Sequence, residues 1–271
     1  MANSCNLQKW TCCNNHPAAP PCKGEEYHAP RQYVGNELKR NWQFYHTPPT
    51  GPESQNRAAV VIDCEMGVAE SGECELIRVS AVDYFSRATL LDSLVWPDVA
   101  MKHYNTRYSG VSKFAMQNAR RRRSCIFGRN NARKAVCKFV GPDTIVVGHA
   151  ANADLTSLRW IHSSVVDTLL IEKNARLPEK PTEKADGGSG SSELAATAKA
   201  IGSETEQPNT EEPMTEEPKT SGGCSLKFLA LERLGRTIQI RRKGHDSLED
   251  ATATRDLLHW HISRTTDAEN S

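Results

Sequence analysis

The chain has 271 residues, with 34 lysines and arginines against 33 aspartates and glutamates, a formal net charge of +1, 38% hydrophobic residues and a mean hydropathy of −0.59. That length holds one sizeable domain or two small ones, and no apolar run nears the roughly 18 residues of a spanning helix, so no membrane span is expected. The opening MANSCNLQKWTCC lacks the apolar core of a secretory leader, so the nine cysteines are expected as thiols in a reducing compartment, not as a disulfide framework.

Residues 1–56 are rich in Cys, His, Pro and Asn without sustained periodicity and read as an N-terminal appendage. Within it, Cys12, Cys13, Cys22 and His28 form a set of four soft ligands for a structural Zn²⁺, with free cysteines as the competing reading. Ala58 to Cys64 (AAVVIDC) reads as a buried strand, Leu76 to Phe85 (LIRVSAVDYF) as a second and Thr89 to Trp96 (TLLDSLVW) as a third; their short connections imply an antiparallel meander. Lys113 to Val140 has helix-compatible spacing, broken near Gly128. Thr144 to Gly148 (TIVVG), a helix starting near Asn152 and the run Val165 to Ile171 (VVDTLLI) then read as strand, helix, strand, a parallel crossover added to the meander.

Residues 178–223 contain almost no large apolar side chains, repeat the theme TEEP and hold about ten acids against about four lysines; a segment so poor in buriable surface is expected to be disordered. Its acidity masks a clearly basic remainder, which suggests a polyanionic partner. Beyond it, Ser225 to Leu234 reads as an amphipathic helix closed by Gly235, and Ser247 to His259 as a last helix with Ser247 as N-cap. The expected organisation is one α/β domain made of residues 57–177 and 224–262, interrupted by the insert and followed by a disordered tail at 263–271.

On a strand, residues i and i+2 share a face, so Asp63 and Glu65 point to one side and Cys64 to the other. Two such carboxylates at the end of an apolar strand repel each other, and a hard divalent cation, Mg²⁺ or Mn²⁺, removes the repulsion. Further acids fall at suitable places: Asp154 in the first turn of the helix after TIVVG, His245 just ahead of the last helix, and Asp250 in its opening turn. Singly, each has a plain reading as a cap or a solvated side chain; together and in this order they describe a metal centre.

Asp63-x-Glu65, then Asp154, then His245-x4-Asp250, with the words IDCEMGV, YNTRYSGV, VVGHAANADL, SLKFLA and KGHDSLEDA around them, resembles the DEDDh 3′-5′ exonucleases, in particular the eukaryotic RNA exonuclease branch, over roughly residues 58 to 260. The resemblance implies an RNase H-like fold, here a mixed five-stranded sheet flanked by helices, and hydrolysis of single-stranded RNA from its 3′ end to nucleoside 5′-monophosphates. Asp63, Glu65, Asp154 and Asp250 are then the ligands of two Mg²⁺ or Mn²⁺ ions, and His245 the general base for the attacking water. Met66 and Gly67 are expected against the terminal nucleotide, and Arg241, Arg242 and Lys243 against the entering phosphates.

His103 stands where members of that branch have Asp or a hydrophobic residue, and the insert is unusually long; neither touches the five positions. His149 and Asn152 are expected as supporting hydrogen-bonding groups, and Asp167 as a turn or strand-end residue outside the catalytic set. The basic run Arg120 to Arg123, with Arg129, Arg133, Lys134 and Lys138, reads either as a phosphate track or import signal, pointing to the nucleus or nucleolus, or as a solvated face. Two other functions keep to the same residues: an inactive exonuclease-fold module that binds RNA or a protein, and the same chemistry applied to DNA.

Overall fold

The computed structural model describes residues 32–52, 54–176, 223–240 and 244–269, together with Asn15, Ala19 and Pro20. The candidate zinc set, Arg241, Arg242 and Lys243, and nearly all of the acidic insert lie outside the described residues. Among those described, no helix is long and apolar enough to cross a membrane.

In chain order, helix α1 (Glu37–Trp42) and strand β1 (Tyr45–His46) precede β2 (Ala59–Ala69), β3 (Cys74–Asp83) and β4 (Thr89–Trp96). These three form the meander read from the sequence, antiparallel throughout. β5 (Met101–His103), α2 (Thr106–Ser109), α3 (Lys113–Arg122), β6 (Ile126–Phe127) and α4 (Arg129–Val136) lead to β7 (Ile145–Gly148), which lies parallel to β2 on the side opposite β3. After α5 (Ala151–Ser157) and β8 (Trp160–Ile161), β9 (Val165–Asp167) pairs parallel with β7. Helix α6 (Thr168–Ala175) precedes the insert; α7 (Leu226–Leu234) and α8 (Ser247–Glu269) follow it.

The main sheet has seven strands in the order β6-β4-β3-β2-β7-β9, with β5 also paired to β2. Five of its members, β2, β3, β4, β7 and β9, are the expected ones. β5 and β6 are additions of three and two residues, too short for a periodic signal. β2 is buried on both faces: Val60, Ile62 and Cys64 pack with Leu76, Val79 and Val136 on one side, Val61 with Val82, Val147, Ala251 and Leu258 on the other. Each such side chain contributes about 1.5–3 kcal/mol. A slip of one residue would put Asp63 into the apolar cluster, so the register of the acidic pair is pinned by its neighbours.

Four expectations differ from the structure. The run Val165 to Ile171 is strand only to Asp167; the Asp167 carboxylate accepts the Leu169 N–H at 2.9 Å and so starts α6 as its N-cap. α8 is capped not by Ser247 but by Asp246, whose carboxylate accepts Leu248 N–H at 3.0 Å, and it runs on to Glu269 through what reads as a tail, because no helix breaker intervenes. The body of the protein begins before residue 57: β1 pairs with β8, and the Arg159 guanidinium lies 3.9 Å from the Trp42 ring centroid while its Nε donates to the Asn41 carbonyl. Finally, Cys74 is disulfide-bonded, whereas Cys64, Cys125, Cys137 and Cys224 are thiols.

Candidate active site

β2 carries Asp63 and Glu65 past the point where its parallel neighbour stops. Pairing with β7 ends at Val61 opposite Val147, after which the chain turns at His149 and Ala150 into α5. That turn leaves the Cys64 N–H without a strand partner, and the Asp154 carboxylate supplies one at 2.9 Å. Asp154 is thereby anchored at the strand end and buried, 4% exposed. Asp167 holds the turn from behind, accepting the N–H groups of Ala150 (2.9 Å) and Ala151 (3.0 Å). His149 braces it: its ring bonds the Thr168 hydroxyl at 2.9 Å and the Cys224 carbonyl at 3.0 Å, tying the chain before the insert to the chain after it. His149 is thus a supporting group, as expected; Asp167 ends β9, as expected, and also supports the turn, while Asn152, expected beside His149, is exposed on α5.

The second half of the site comes from the loop before α8 and its first turn. Asp250 is buried and accepts Gln239 Nε2–H at 2.8 Å; His245 Nδ1 lies 3.6 Å from its Oδ2. Glu65, His245 and Asp250 form the tight group, with one ligand atom of each within 4.8 Å of the others. Asp63 and Asp154 stand farther out but within electrostatic reach. Burial pushes the Asp63 carboxyl well above the usual carboxylate range, and Asp154, Asp250 and Glu65 add to it. Burial, then the Asp250 charge, pushes Glu65 up to about 9; burial pushes Asp154 to about 8 and Asp250 to about 7. Glu65 Oε1 and Asp250 Oδ1 are buried without a hydrogen-bond donor. Two unsatisfied acceptors in residues whose ligand atoms lie this close fit a divalent cation.

Several positioning groups escaped the sequence reading. Arg78, opposite Glu65 on β3, holds Asp92 through two bonds (3.0 and 3.1 Å) and reaches Asp246 at 3.0 Å, fixing the residue next to His245. Ser80, opposite Asp63, shares a 2.7 Å hydroxyl bond with Ser247 at the start of α8. Gly244 (φ +75°) lies so close to Gly110 that a Cβ there would meet backbone atoms at 2.3 and 2.4 Å, and the His245 N–H donates to the Tyr108 carbonyl. The signals were an arginine in a strand word and two glycines, neither of which announces a partner far along the chain. A cleft of about 580 Å³ opens beside His245, walled by Arg78, Leu94, Val111, Ala115 and Ile240 among others.

Other residues singled out in the sequence have contacts within the protein. Gly67 faces β5: a side chain would strike the Met101 methyl at 2.6 Å and the His103 carbonyl at 2.9 Å, so close strand packing accounts for the glycine. The Met66 carbonyl accepts from the Asn105 side chain at 3.3 Å. Of the basic run, Arg129 is buried against Glu75 (3.3 Å) and Arg133 donates to the Leu158 carbonyl (2.9 Å), so neither is a phosphate contact.

The mixed sheet flanked by helices is an RNase H-like fold. Among solved structures, the chain is similar to the Pan2 pseudoubiquitin hydrolase–RNA exonuclease module of Saccharomyces cerevisiae in complex with AAGGA RNA (TM-score 0.53, 18% identity, 84% of this chain and 34% of that one) and to the Neurospora crassa Pan2 catalytic unit (TM-score 0.53, 16% identity, 84% and 32%). Among curated proteins, it is 25% identical to RNA exonuclease 3 of Candida albicans (94% of this chain, 52% of that protein) and 27% identical to the putative exonuclease GOR of Homo sapiens (94% and 30%). These relatives bear out the resemblance to the eukaryotic RNA exonucleases, though the chain spans about half of their length or less. No protein-family model matches the chain.

Proposed function

We propose that the protein is a divalent-cation-dependent 3′-5′ exonuclease that removes nucleoside 5′-monophosphates from the 3′ end of RNA. The observation that carries this reading is the gathering of three buried carboxylates, Glu65, Asp154 and Asp250, and the half-buried Asp63 from three separate segments, with Glu65 Oε1 and Asp250 Oδ1 buried and lacking any donor. An acceptor left in that state is disfavoured by about 1–3 kcal/mol, and the mutual repulsion of the set adds to it. Asp63, Glu65, Asp154 and Asp250 would hold Mg²⁺ or Mn²⁺. Such ions, when bound, neutralise charge on the phosphodiester and acidify the attacking water.

The chain's own residues supply the rest. His245 is kept neutral near pH 7 because burial lowers its pKa, with Lys227 acting in the same direction. It therefore takes the proton of the attacking water as general base, while the new P–O bond forms and the bond to the 3′-oxygen of the preceding nucleotide breaks. Asp250, held by Gln239, keeps its Oδ2 3.6 Å from the imidazole Nδ1, where its charge favours the imidazolium that forms as the proton is taken. RNA is favoured over DNA by the naming of the relatives as RNA exonucleases and by the RNA bound to the yeast Pan2 module.

The test digests 3′-labelled and 5′-labelled RNA and DNA of equal sequence with Mg²⁺ or Mn²⁺, beside Asp63→Ala and Asp250→Ala. Loss of the 3′ label first, with both variants at least about a thousandfold slower, is the expected result; removing a group that acts in the transition state has this scale. Equal degradation by wild type and variants, or RNA binding without hydrolysis, would sink the reading, and faster loss from DNA would turn the substrate assignment.

A further inference from the structure

Between Asp98 and Asp143 the sequence has no acidic residue but eleven lysines and arginines. The structure sorts these cations. Arg129 and Arg133 are internal, and Arg120 lies 4.3 Å from the Trp96 ring centroid. Arg121, Arg122 and Arg123 are exposed at the end of α3. One cation at a helix C-terminus complements the helix dipole, but further like charges in succession repel one another. Such a cluster is better matched to a polyanion.

This charge adjoins the cleft. Val111 and Ala115 form part of its wall, and on a helix positions seven apart share a face, so Arg122 continues the stripe of Ala115 and Arg121 that of Phe114, about 10 Å farther along. Phe114 is 69% exposed and Tyr108 47% exposed, far more than their size would favour in water. Tyr108 is joined to the candidate site directly, because its carbonyl accepts the His245 N–H. Exposed rings followed by exposed arginines are what a single strand needs: faces on which bases stack and cations for the phosphates between them.

Resting on the exonuclease reading, we propose that the α2–α3 face is the track for single-stranded RNA 5′ of the reacting nucleotide, with Tyr108 and Phe114 stacking bases and Arg121 and Arg122 holding phosphates. An acidic protein segment is the rival occupant, and it would use the arginines without the rings.

The test is fluorescence anisotropy of the full chain with labelled RNA of 3 and 12 nucleotides, in EDTA so that no hydrolysis occurs, over a salt series. The wild type should bind the longer strand more tightly. Phe114→Ala should lower 12-nucleotide affinity at least about fivefold. The Arg121→Ser/Arg122→Ser double variant should flatten the log K against log salt slope by about 1.4, two contacts at about 0.7 each on a single strand. Unchanged 12-nucleotide affinity and slope in both variants would overturn the track. So would an undiminished affinity in Phe114→Ala joined to equally tight binding of a polyglutamate peptide by the wild type. Because binding is read without hydrolysis, failure of Asp63→Ala to impair digestion would remove the enzyme reading and leave this result standing.

Discussion

Stripping divalent cations with EDTA should make the fold progressively less stable as pH rises from about 4.5 to 8.5. The four carboxyls are raised by burial above their ordinary values, Asp250 to about 7, Asp154 to about 8, Glu65 to about 9 and Asp63 in the same direction. A carboxyl with a raised folded pKa binds more protons folded than unfolded. Its contribution is complete below the unfolded pKa, near 4, and is lost as pH climbs through the folded value. For Asp250 alone the shift from 3.8 to about 7 corresponds to roughly 4 kcal/mol at about 1.4 kcal/mol per unit. A proton held by one of four neighbouring carboxyls relieves the others, so the loss for the set is of this order and not four times it. At about 2–4 °C per kcal/mol for a chain of this size, Tm falls by roughly 8–16 °C.

Calorimetric scans in EDTA and in Mn²⁺, for wild type and Glu65→Gln, separate this effect from others. His149 and His245, whose pKa values burial lowers, run the opposite way, gaining stability as pH rises, and they are common to both proteins. The wild type should lose more than the variant between pH 4.5 and 8.5 in EDTA, and Mn²⁺ should restore it mainly at the alkaline end. Parallel EDTA profiles, or an equal Mn²⁺ effect at both ends, would refute the reasoning.

Three substitutions probe the supports. Gly244→Ala places a Cβ against the Gly110 backbone at a positive φ; it should slow hydrolysis at least tenfold while the Mn²⁺-dependent rise in Tm persists, read by kinetics and calorimetry together. Arg78→Met leaves Asp92 and Asp246 without their shared cation; kcat should fall more than KM changes, and Asp246→Asn should reproduce the fall if docking of the His245 loop is its cause. Asp167→Ala frees the N–H groups of Ala150, Ala151 and Leu169; urea unfolding should show a loss of about 2–4 kcal/mol.

How much of this was legible beforehand depended on the range of the interaction. The alternation of Val61, Asp63 and Glu65 is local, so one face for both acids followed from strand geometry, and the closing of the helix before Gly235 was equally plain. VVDTLLI has no period of its own; strand and helix compete there, and only the capping capacity of Asp167 decides. Arg78 sits in an alternating word where an arginine reads as solvent-facing, and its two acidic partners lie on another strand and beyond the insert. The clasp of Trp42, Phe44 and Tyr45 over Arg159 and Arg133 is held by ring and guanidinium stacking, which leaves no periodicity in residues 37–47.

The site is split by the insert: Asp63, Glu65 and Asp154 precede residues 178–223, and His245 and Asp250 follow them. Chain proximity therefore cannot bring its halves together. Side chains do: His149 to the Cys224 carbonyl, Ser80 to Ser247, Arg78 to Asp246, and the buried Glu172, which meets His261 at 2.9 Å and Arg176 and Arg233 at 3.5 Å. Arg176, at the last described residue before the insert, also bonds Glu232 of α7 at 3.0 Å, so the stub before the insert is fixed to the helix that follows it, and the stub after it to the turn that follows β7. Lengthening a loop from a few residues to several tens costs only about 2 kcal/mol of closure entropy. Removing one partner of a buried charge such as Glu172 costs about 3–5 kcal/mol. The geometry of the carboxylate site is thus governed by these few contacts between α6, α7 and α8 and the sheet, and is nearly indifferent to the length of chain inserted between them.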